Sequence, residues 1–140
     1  MRIDAFYNEV LLDHNRYPLH KRHLPNCTCS REGINPSCGD DIVLSLDLKD
    51  GIINDAAFDG SGCAISQASC DIMLDLVIGK KKEEVLELYD LFMKMIREGV
   101  NGDEEERLEE AAVLKDISHM PARVKCAVLG WNTLAEMLNE

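Results

Sequence analysis

The sequence predicts an α+β fold: an N-terminal helix, a small antiparallel β-sheet, and then a cluster of C-terminal helices packed on that sheet. Two observations lead to this prediction. Apolar and polar residues alternate from Ile42 to Lys49 with the period of a half-buried strand, and the hairpin-type turn Asp50-Gly51 follows at once. From residue 64 onward, apolar residues recur at helical spacing in successive segments. Strands and helices segregated along the chain in this way are typical of α+β domains.

The N-terminal part of the chain is expected to hold one helix and a connection. Residues 4–17 carry a broad apolar stripe and end before Pro18, which stops a helix. Residues 19–37 contain two prolines with a glycine and an asparagine between them, so they predict an irregular connection. The sheet follows, and its return strand is expected at residues 52–58.

Four helices are expected after the sheet, the third of them acidic. Their expected ranges are residues 64–78, 82–98, about 103–116 and 122–139. Gly79 and Gly99 follow the first two of these helices, in the position favoured for a C-terminal cap, and Pro121 opens the last. The chain shows no repeat or linker, so residues 1–140 are predicted to form a single domain.

The composition excludes several classes of protein. The chain has 140 residues, of which 46% are hydrophobic, so it can fold around one core. Its formal net charge of −11 argues against binding to a nucleic-acid backbone, which needs clustered Lys and Arg. No stretch approaches the roughly 18 apolar residues of a membrane span, and Asp4 and Glu9 interrupt the segment where a signal peptide needs an apolar run. We therefore predict a cytoplasmic protein without nucleic-acid or membrane partners, whose six cysteines are reduced.

Three of the cysteines fall at the ends of predicted elements, where side chains from distant parts of the chain can converge. Cys38 precedes the first predicted strand, Cys63 lies between the return strand and the next helix, and Cys126 lies near the start of the last helix. Helix N-termini favour the thiolate over the thiol, since the helix dipole is positive there. With Asp40, these cysteines form a set of four ligands that zinc accepts in tetrahedral coordination.

The spacing of the cysteines leaves other interpretations open. No C-x-x-C pair is present, and free cysteines are commonly small buried hydrophobic residues, which is our interpretation of Cys70. Cys27 and Cys29 form a C-x-C pair in the irregular connection and are interpreted as incidental thiols. Asp40 can begin a turn without binding a metal, and Arg123 can be an exposed cation at a helix start. His20, His23 and His119 lack a ligand pattern and are expected to be hydrogen-bonded or exposed.

Several short stretches carry a resemblance to a known family. NPSCGD, GSGCAISQAS and PARVKC, in this order, together with YNEVLLDHNRYP near the N-terminus, resemble the motifs of the IscU/NifU-like iron–sulfur cluster assembly proteins. The resemblance covers nearly the whole chain. Within the family the chain resembles the SufU branch, because Lys125 stands where the scaffold branch has a histidine and because a long segment separates Cys63 from Cys126. HMPARVK occupies the place of the chaperone-recognition stretch LPPVK of the scaffold branch.

The resemblance implies a zinc site and a role in sulfur transfer. The zinc ligands would be Cys38, Asp40, Cys63 and Cys126. The sulfur would come from the persulfide of a pyridoxal-phosphate cysteine desulfurase of the SufS type, and it would pass on to downstream iron–sulfur assembly proteins. We expect Cys38 to accept the sulfur, because it lies on a turn and can leave the ligand set. Cys126 is the second candidate, and Arg123 is expected to stabilise a sulfur anion or to contact the partner.

Two functions from different classes stay open at this point. The protein is either a zinc-dependent sulfurtransferase that works with a desulfurase, or a non-enzymatic scaffold on which a [2Fe–2S] or [4Fe–4S] cluster is assembled by the same three cysteines. Lys125 favours the first function, because an ammonium group has no lone pair to offer a metal. A third interpretation, a structural zinc domain, predicts that metal removal unfolds the chain and that a desulfurase is indifferent to it.

Overall fold

The computed structural model describes residues 9–139 and confirms the α+β layout. The elements follow in the order α1 (Glu9–Arg16), β1 (Cys29–Asn35), β2 (Asp40–Lys49), β3 (Ile52–Ser61), α2 (Ala64–Val77), α3 (Lys82–Arg97), α4 (Gly102–Leu108), a 3₁₀ segment (Glu109–His119) and α5 (Pro121–Leu138). Helices α2, α3 and α5 agree with the expected ranges to within one residue at each end. The expected first turn of the N-terminal helix, residues 4–8, lies outside the described residues.

The sheet is antiparallel, with strand order β1-β2-β3. The predicted turn between β2 and β3 is confirmed: Asp50 and Gly51 have φ values of 54° and 76°, and two consecutive positive φ angles are what a tight hairpin of this twist requires. The register shifts between Asp47 and Leu48, where β3 carries one extra residue. This bulge explains why the apolar alternation of the return strand is imperfect in the sequence.

The expectation of an irregular connection over residues 19–37 is wrong for residues 29–35, because β1 lies there. It pairs along its whole length with β2, from Cys29 opposite Leu46 to Asn35 opposite Asp40. Its seven residues, CSREGIN, include few residues that favour strands. As an edge strand, β1 exposes one face to solvent, and its other face is occupied mainly by small or polar side chains where α5 packs. The pairing partner rather than local propensity therefore determines this strand.

The acidic helix expected over about 103–116 is wrong in its second half. The α-helix ends at Leu108, since Glu109 has a φ of 50°, and 3₁₀ geometry continues to His119. The fully buried side chains of this region recur at every third position: Leu108, Ala111, Leu114 and Ile117. A 3₁₀ helix has three residues per turn and places residues i and i+3 directly above one another. The three-residue spacing was therefore the signal for this geometry in the sequence.

The core lies between the sheet and the helices, with α2 at its centre. Helix α2 is buried on nearly all sides, because it contacts α1, β3, the 3₁₀ segment and α5. Behind it, the rings of Phe92 and Trp131 stack with centroids 4.2 Å apart, which ties α3 to α5. No helix in residues 9–139 is long and apolar enough to cross a membrane. This packing places the starts of α2 and α5 at the end of the sheet that carries the β1–β2 turn.

Candidate metal centre

The β1–β2 turn presents the first cysteine of the predicted set. Residues 36–39 form the turn, Cys38 N–H donates to Asn35 O at 3.3 Å, and Gly39 adopts a φ of 72° that other residues rarely take. Cys38 is partly exposed, and its thiol makes a long contact with the carbonyl oxygen of Ala122 at 3.8 Å. The turn therefore holds this sulfur at the surface, against the start of α5.

Asp40, the first residue of β2, is fully buried. Its Oδ1 accepts the backbone N–H of Cys63 at 2.8 Å, and its Oδ2 accepts Asn35 Nδ2 at 3.2 Å. A β-carbon at Gly62 would lie 2.8 Å from Oδ1, well inside van der Waals contact, so glycine is required beside this carboxylate. Asp40 is thus fixed by its neighbours on both sides and does more than begin a turn.

Cys63 is the N-terminal cap of α2. Its Sγ accepts the backbone N–H of Ser66 at 3.4 Å, in the role that a serine or aspartate side chain usually fills. The residue lies at the junction of β3 and α2, as the sequence predicted. The thiol is partly exposed and lies beside Cys126, since the two side chains interact.

Cys126 lies in the second turn of α5 and is fully buried. Asn35 Nδ2 approaches its Sγ at 3.7 Å. Burial is the main cause that raises the pKa of the Cys126 thiol well above its usual range, and the side chains of Cys38 and Asp40 add to it. Arg123 lies one turn earlier, and the interaction of its guanidinium with the Cys126 sulfur raises the pKa of the guanidinium. The buried environment of Cys126 thus favours the thiol, and Arg123 places a permanent positive charge near it.

Three of the four predicted ligands converge. One ligand atom each from Cys38, Asp40 and Cys126 lies within 4.8 Å of the others. Cys63 Sγ stands outside this group of atoms, in its capping position at the end of α2. The side chains thus come from the turn before β2, from β2 itself and from α5, with α2 completing the border of the site.

The donor set fits zinc. Thiolates and a carboxylate are ligands that zinc takes in four-coordinate sites, and two of the converging side chains, Asp40 and Cys126, are fully buried. Burying a carboxylate among sulfur atoms is unfavourable without a cation to compensate it. A bound divalent cation also keeps coordinating thiols deprotonated, which would reverse the raised pKa of Cys126. The same sulfur atoms suit iron–sulfur clusters as well.

The structure also places the other residues that the sequence singled out. Cys70 is a buried core residue, as expected, and burial raises the pKa of its thiol to about 12. Lys125 is exposed. None of the histidines belongs to the group of converging ligand atoms described for residues 9–139. His14 is held between two carboxylates, those of Asp71 at 2.6 Å and Glu110 at 2.9 Å.

Asn35 is the residue of the site that sequence reasoning missed. It was assigned to the irregular connection, whereas its buried side chain contacts both Asp40 and Cys126. The available signal was its place five residues before Asp40, because a tight turn between them makes the two residues hairpin partners.

Comparison with known proteins identifies the family. The sequence profile described as "NifU-like N terminal domain" matches residues 6–127. The chain belongs to this NifU-like family. Among curated relatives, the NifU-like chain is 43% identical to a protein of Thermotoga maritima named "Iron-sulfur cluster assembly scaffold protein IscU", over 100% of this chain and 97% of the relative. It is 37% identical to the "Zinc-dependent sulfurtransferase SufU" of Bacillus subtilis, over 94% of this chain and 88% of the relative.

Solved structures agree with the sequence comparison. The NifU-like chain superposes with a TM-score of 0.90 on a protein of Fervidobacterium islandicum AW-1 described as an iron–sulfur cluster assembly scaffold protein for the SUF system. That protein is 34% identical, and the match covers 98% of this chain and 99% of the other. The family resemblance seen in the cysteine motifs is therefore confirmed over the whole domain.

Proposed function

We propose that this protein acts in iron–sulfur cluster assembly as a zinc-bound sulfur acceptor, taking sulfur from the persulfide of a cysteine desulfurase. The observation that carries the proposal is the convergence of Cys38, Asp40 and Cys126 within 4.8 Å, with Cys63 beside them. One of the three converging side chains, Cys38, is accessible from solvent. In a site with buried ligands and one surface thiol, another protein can deliver a sulfur atom to the exposed thiol.

The metal would be held by Cys38, Asp40, Cys63 and Cys126, of which Asp40 and Cys126 are buried. When bound, zinc would supply the positive charge that keeps these thiols deprotonated at neutral pH. Asp40 contributes a hard oxygen donor among soft sulfur donors, and its two hydrogen bonds hold it in one orientation.

Cys38 is the proposed acceptor. It is the partly exposed thiol of the converging group, and it lies on a turn, whereas Cys126 is fully buried in a helix. In the transfer, the Cys38 thiolate attacks the outer sulfur of the partner's persulfide. The partner's S–S bond breaks and its cysteine leaves as a thiolate, while Cys38–S–SH forms and keeps the hydrogen on the transferred sulfur. The reaction exchanges one disulfide-type bond for another, so no oxidant or reductant is needed.

Arg123 is proposed to stabilise the sulfur anion. The interaction of its guanidinium with the Cys126 sulfur, with further electrostatic contributions from Cys63 and Cys38, raises the pKa of Arg123, so this cation acts on the cysteines of the site. A cation in this position favours thiolates and a persulfide anion over their protonated forms. The proposed partners are a pyridoxal-phosphate desulfurase of the SufS type as donor and downstream iron–sulfur assembly proteins as recipients. The proposed location is the cytoplasm, where thiols stay reduced.

A second candidate function is a scaffold that assembles a [2Fe–2S] or [4Fe–4S] cluster. The name of the Thermotoga maritima relative favours it, and the thiol ligands are chemically suitable. Lys125 argues for the acceptor function, because its ammonium group is exposed and offers no additional ligand next to Cys126. The sulfurtransferase name of the Bacillus subtilis relative points the same way.

Alanine release by a cysteine desulfurase tests the proposal. The desulfurase is assayed with cysteine alone, with the zinc-loaded protein, with the metal-stripped protein and with zinc-loaded Cys38→Ser. The acceptor function predicts strong acceleration by the zinc-loaded protein only. Equal rates in all four mixtures, together with cluster formation on the protein under anaerobic reconstitution, would support the scaffold instead.

A further inference from the structure

The hydroxyl of Ser66 is buried without a hydrogen-bond partner. Ser66 is 0% exposed, and its Oγ has no partner among residues 9–139. A serine in a helix usually satisfies its hydroxyl with the carbonyl four residues earlier. Here that carbonyl, of Gly62, already accepts a hydrogen bond from Gln67 Nε2 at 2.8 Å. An unsatisfied buried hydroxyl is costly, so its presence beside the metal centre calls for a function.

The packing of α2 on α5 shows which way this hydroxyl faces. Ser69, one turn after Ser66 on the same face of α2, donates to the carbonyl oxygen of Ala127 at 2.6 Å. Further along, Cys70 Sγ packs directly on Gly130, where a β-carbon would lie 2.6 Å from the sulfur. Both contacts lie on the face of α2 that packs against α5. Ser66 lies one turn earlier on this face, in the first turn after Cys63, whose side chain interacts with Cys126 on α5.

Ser66 is also adjacent to Cys63. Its backbone N–H donates to Cys63 Sγ at 3.4 Å, which holds that sulfur at the end of the helix, beside Cys126 but outside the group of three converging ligand atoms. If Cys63 turns inward to join the set, its sulfur gives up this capping bond. The Ser66 hydroxyl is then a hydrogen-bond donor without another partner among the described residues, on the interior side of Cys63.

We propose that the Ser66 hydroxyl donates a hydrogen bond to the Cys63 thiolate when this sulfur joins Cys38, Asp40 and Cys126 on the metal. Ser66 is thus a positioning residue that replaces the capping bond of Cys63 and holds its sulfur in the ligand set. The inference rests on the four-ligand zinc site of the proposed function. This bond would give the buried hydroxyl of Ser66 a partner.

The test compares Ser66→Ala with Ser69→Ala. Each variant is measured for unfolding by urea in the metal-free state, for zinc affinity by competition with a chromophoric chelator, and for the sulfur-to-metal charge-transfer band after loading with Co²⁺. For Ser66→Ala we expect zinc affinity to fall about tenfold or more, the loss typical of residues that orient metal ligands, with no loss of metal-free stability. The Co²⁺ band should move to longer wavelength, because a thiolate without its hydrogen bond gives up an electron more easily.

Ser69→Ala is the matched control, because its hydroxyl already has a partner in the metal-free fold. It should lower metal-free stability and leave zinc affinity and the Co²⁺ band unchanged. Zinc affinity of Ser66→Ala equal to wild type, or a loss of metal-free stability as large as that of Ser69→Ala, would overturn the inference alone. A wild-type protein that binds no zinc would overturn the proposed zinc site together with this inference.

Discussion

Asp40 Oδ1 accepts the backbone N–H of Cys63 at 2.8 Å, which joins the first residue of β2 to the residue that caps α2. A proposed metal ligand therefore also holds the sheet against the central helix. This bond fixes both the Asp40 carboxylate and the start of α2. A substitution that disturbs it should therefore weaken both metal binding and the stability of the fold.

Gly62→Ala is expected to damage both properties. The new β-carbon would lie 2.8 Å from Asp40 Oδ1, so the carboxylate must move and its bond to Cys63 N–H is weakened. We expect a loss of about 1–3 kcal/mol in the free energy of unfolding and clearly weaker zinc binding. Gly102→Ala is the control, since no atom lies within 4 Å of a β-carbon there, and it should stay within about 1 kcal/mol of wild type. Wild-type zinc affinity in Gly62→Ala would contradict the assignment of Asp40.

Asn35→Ala is expected to weaken zinc binding by about tenfold. The buried amide contacts Asp40 Oδ2 at 3.2 Å and Cys126 Sγ at 3.7 Å, so its removal leaves two proposed ligands less well oriented. Asn54→Ala removes a similar amide that bonds Asp47 at the surface, at 2.8 Å, and should leave zinc affinity unchanged. Competition with a chelator measures the zinc affinity of both variants. Equal affinities would show that Asn35 has no role in the site.

The cysteines of the metal-free protein should differ in their reaction with iodoacetamide. Burial raises the pKa of Cys70 to about 12 and shields its sulfur, so it should stay unmodified at pH 8 until the protein is denatured. Cys38 is partly exposed and should be modified in the folded state, and added zinc should protect it. Peptide mass spectrometry after timed quenching measures the extent of modification at both cysteines. Equal labelling of Cys70 and Cys38 in the folded protein would contradict the expected difference in their reactivity.

His14 should stabilise the fold more at low pH than at high pH. Burial acts to lower the pKa of His14, but hydrogen bonds to Asp71 and Glu110 outweigh it and raise the pKa above 6.5. A raised pKa in the folded state gives stability that is complete below the unfolded value and is lost as the pH rises through the folded value. The gap in unfolding free energy between wild type and His14→Gln should therefore be on the order of 1 kcal/mol near pH 6 and shrink towards pH 9.

His119→Gln serves as the control for this pH series, because His119 is exposed at the end of the 3₁₀ segment. Its unfolding free energy should follow wild type at every pH. A gap for His14→Gln that stays constant or grows with pH would contradict the imidazolium bridge between the two carboxylates.

Local patterns in the sequence predicted most of the helices and the β2–β3 hairpin, since apolar periodicity and turn chemistry act over a few residues. They did not predict β1, because an edge strand with polar residues is determined by its pairing with β2. The positions of the cysteines at element ends indicated a possible metal site. The contacts of Asn35 and Ser66 could not be predicted in this way, since they depend on how distant elements pack.

Mapping the transferred sulfur tests the central claim most directly. The zinc-loaded protein is incubated with a cysteine desulfurase and cysteine, persulfides are trapped with an alkylating reagent, and the peptides are analysed by mass spectrometry. One extra sulfur atom is expected on the peptide that carries Cys38, and none in Cys38→Ser. A persulfide that persists in Cys38→Ser, or that forms on Cys126 in the wild-type protein, would contradict the account.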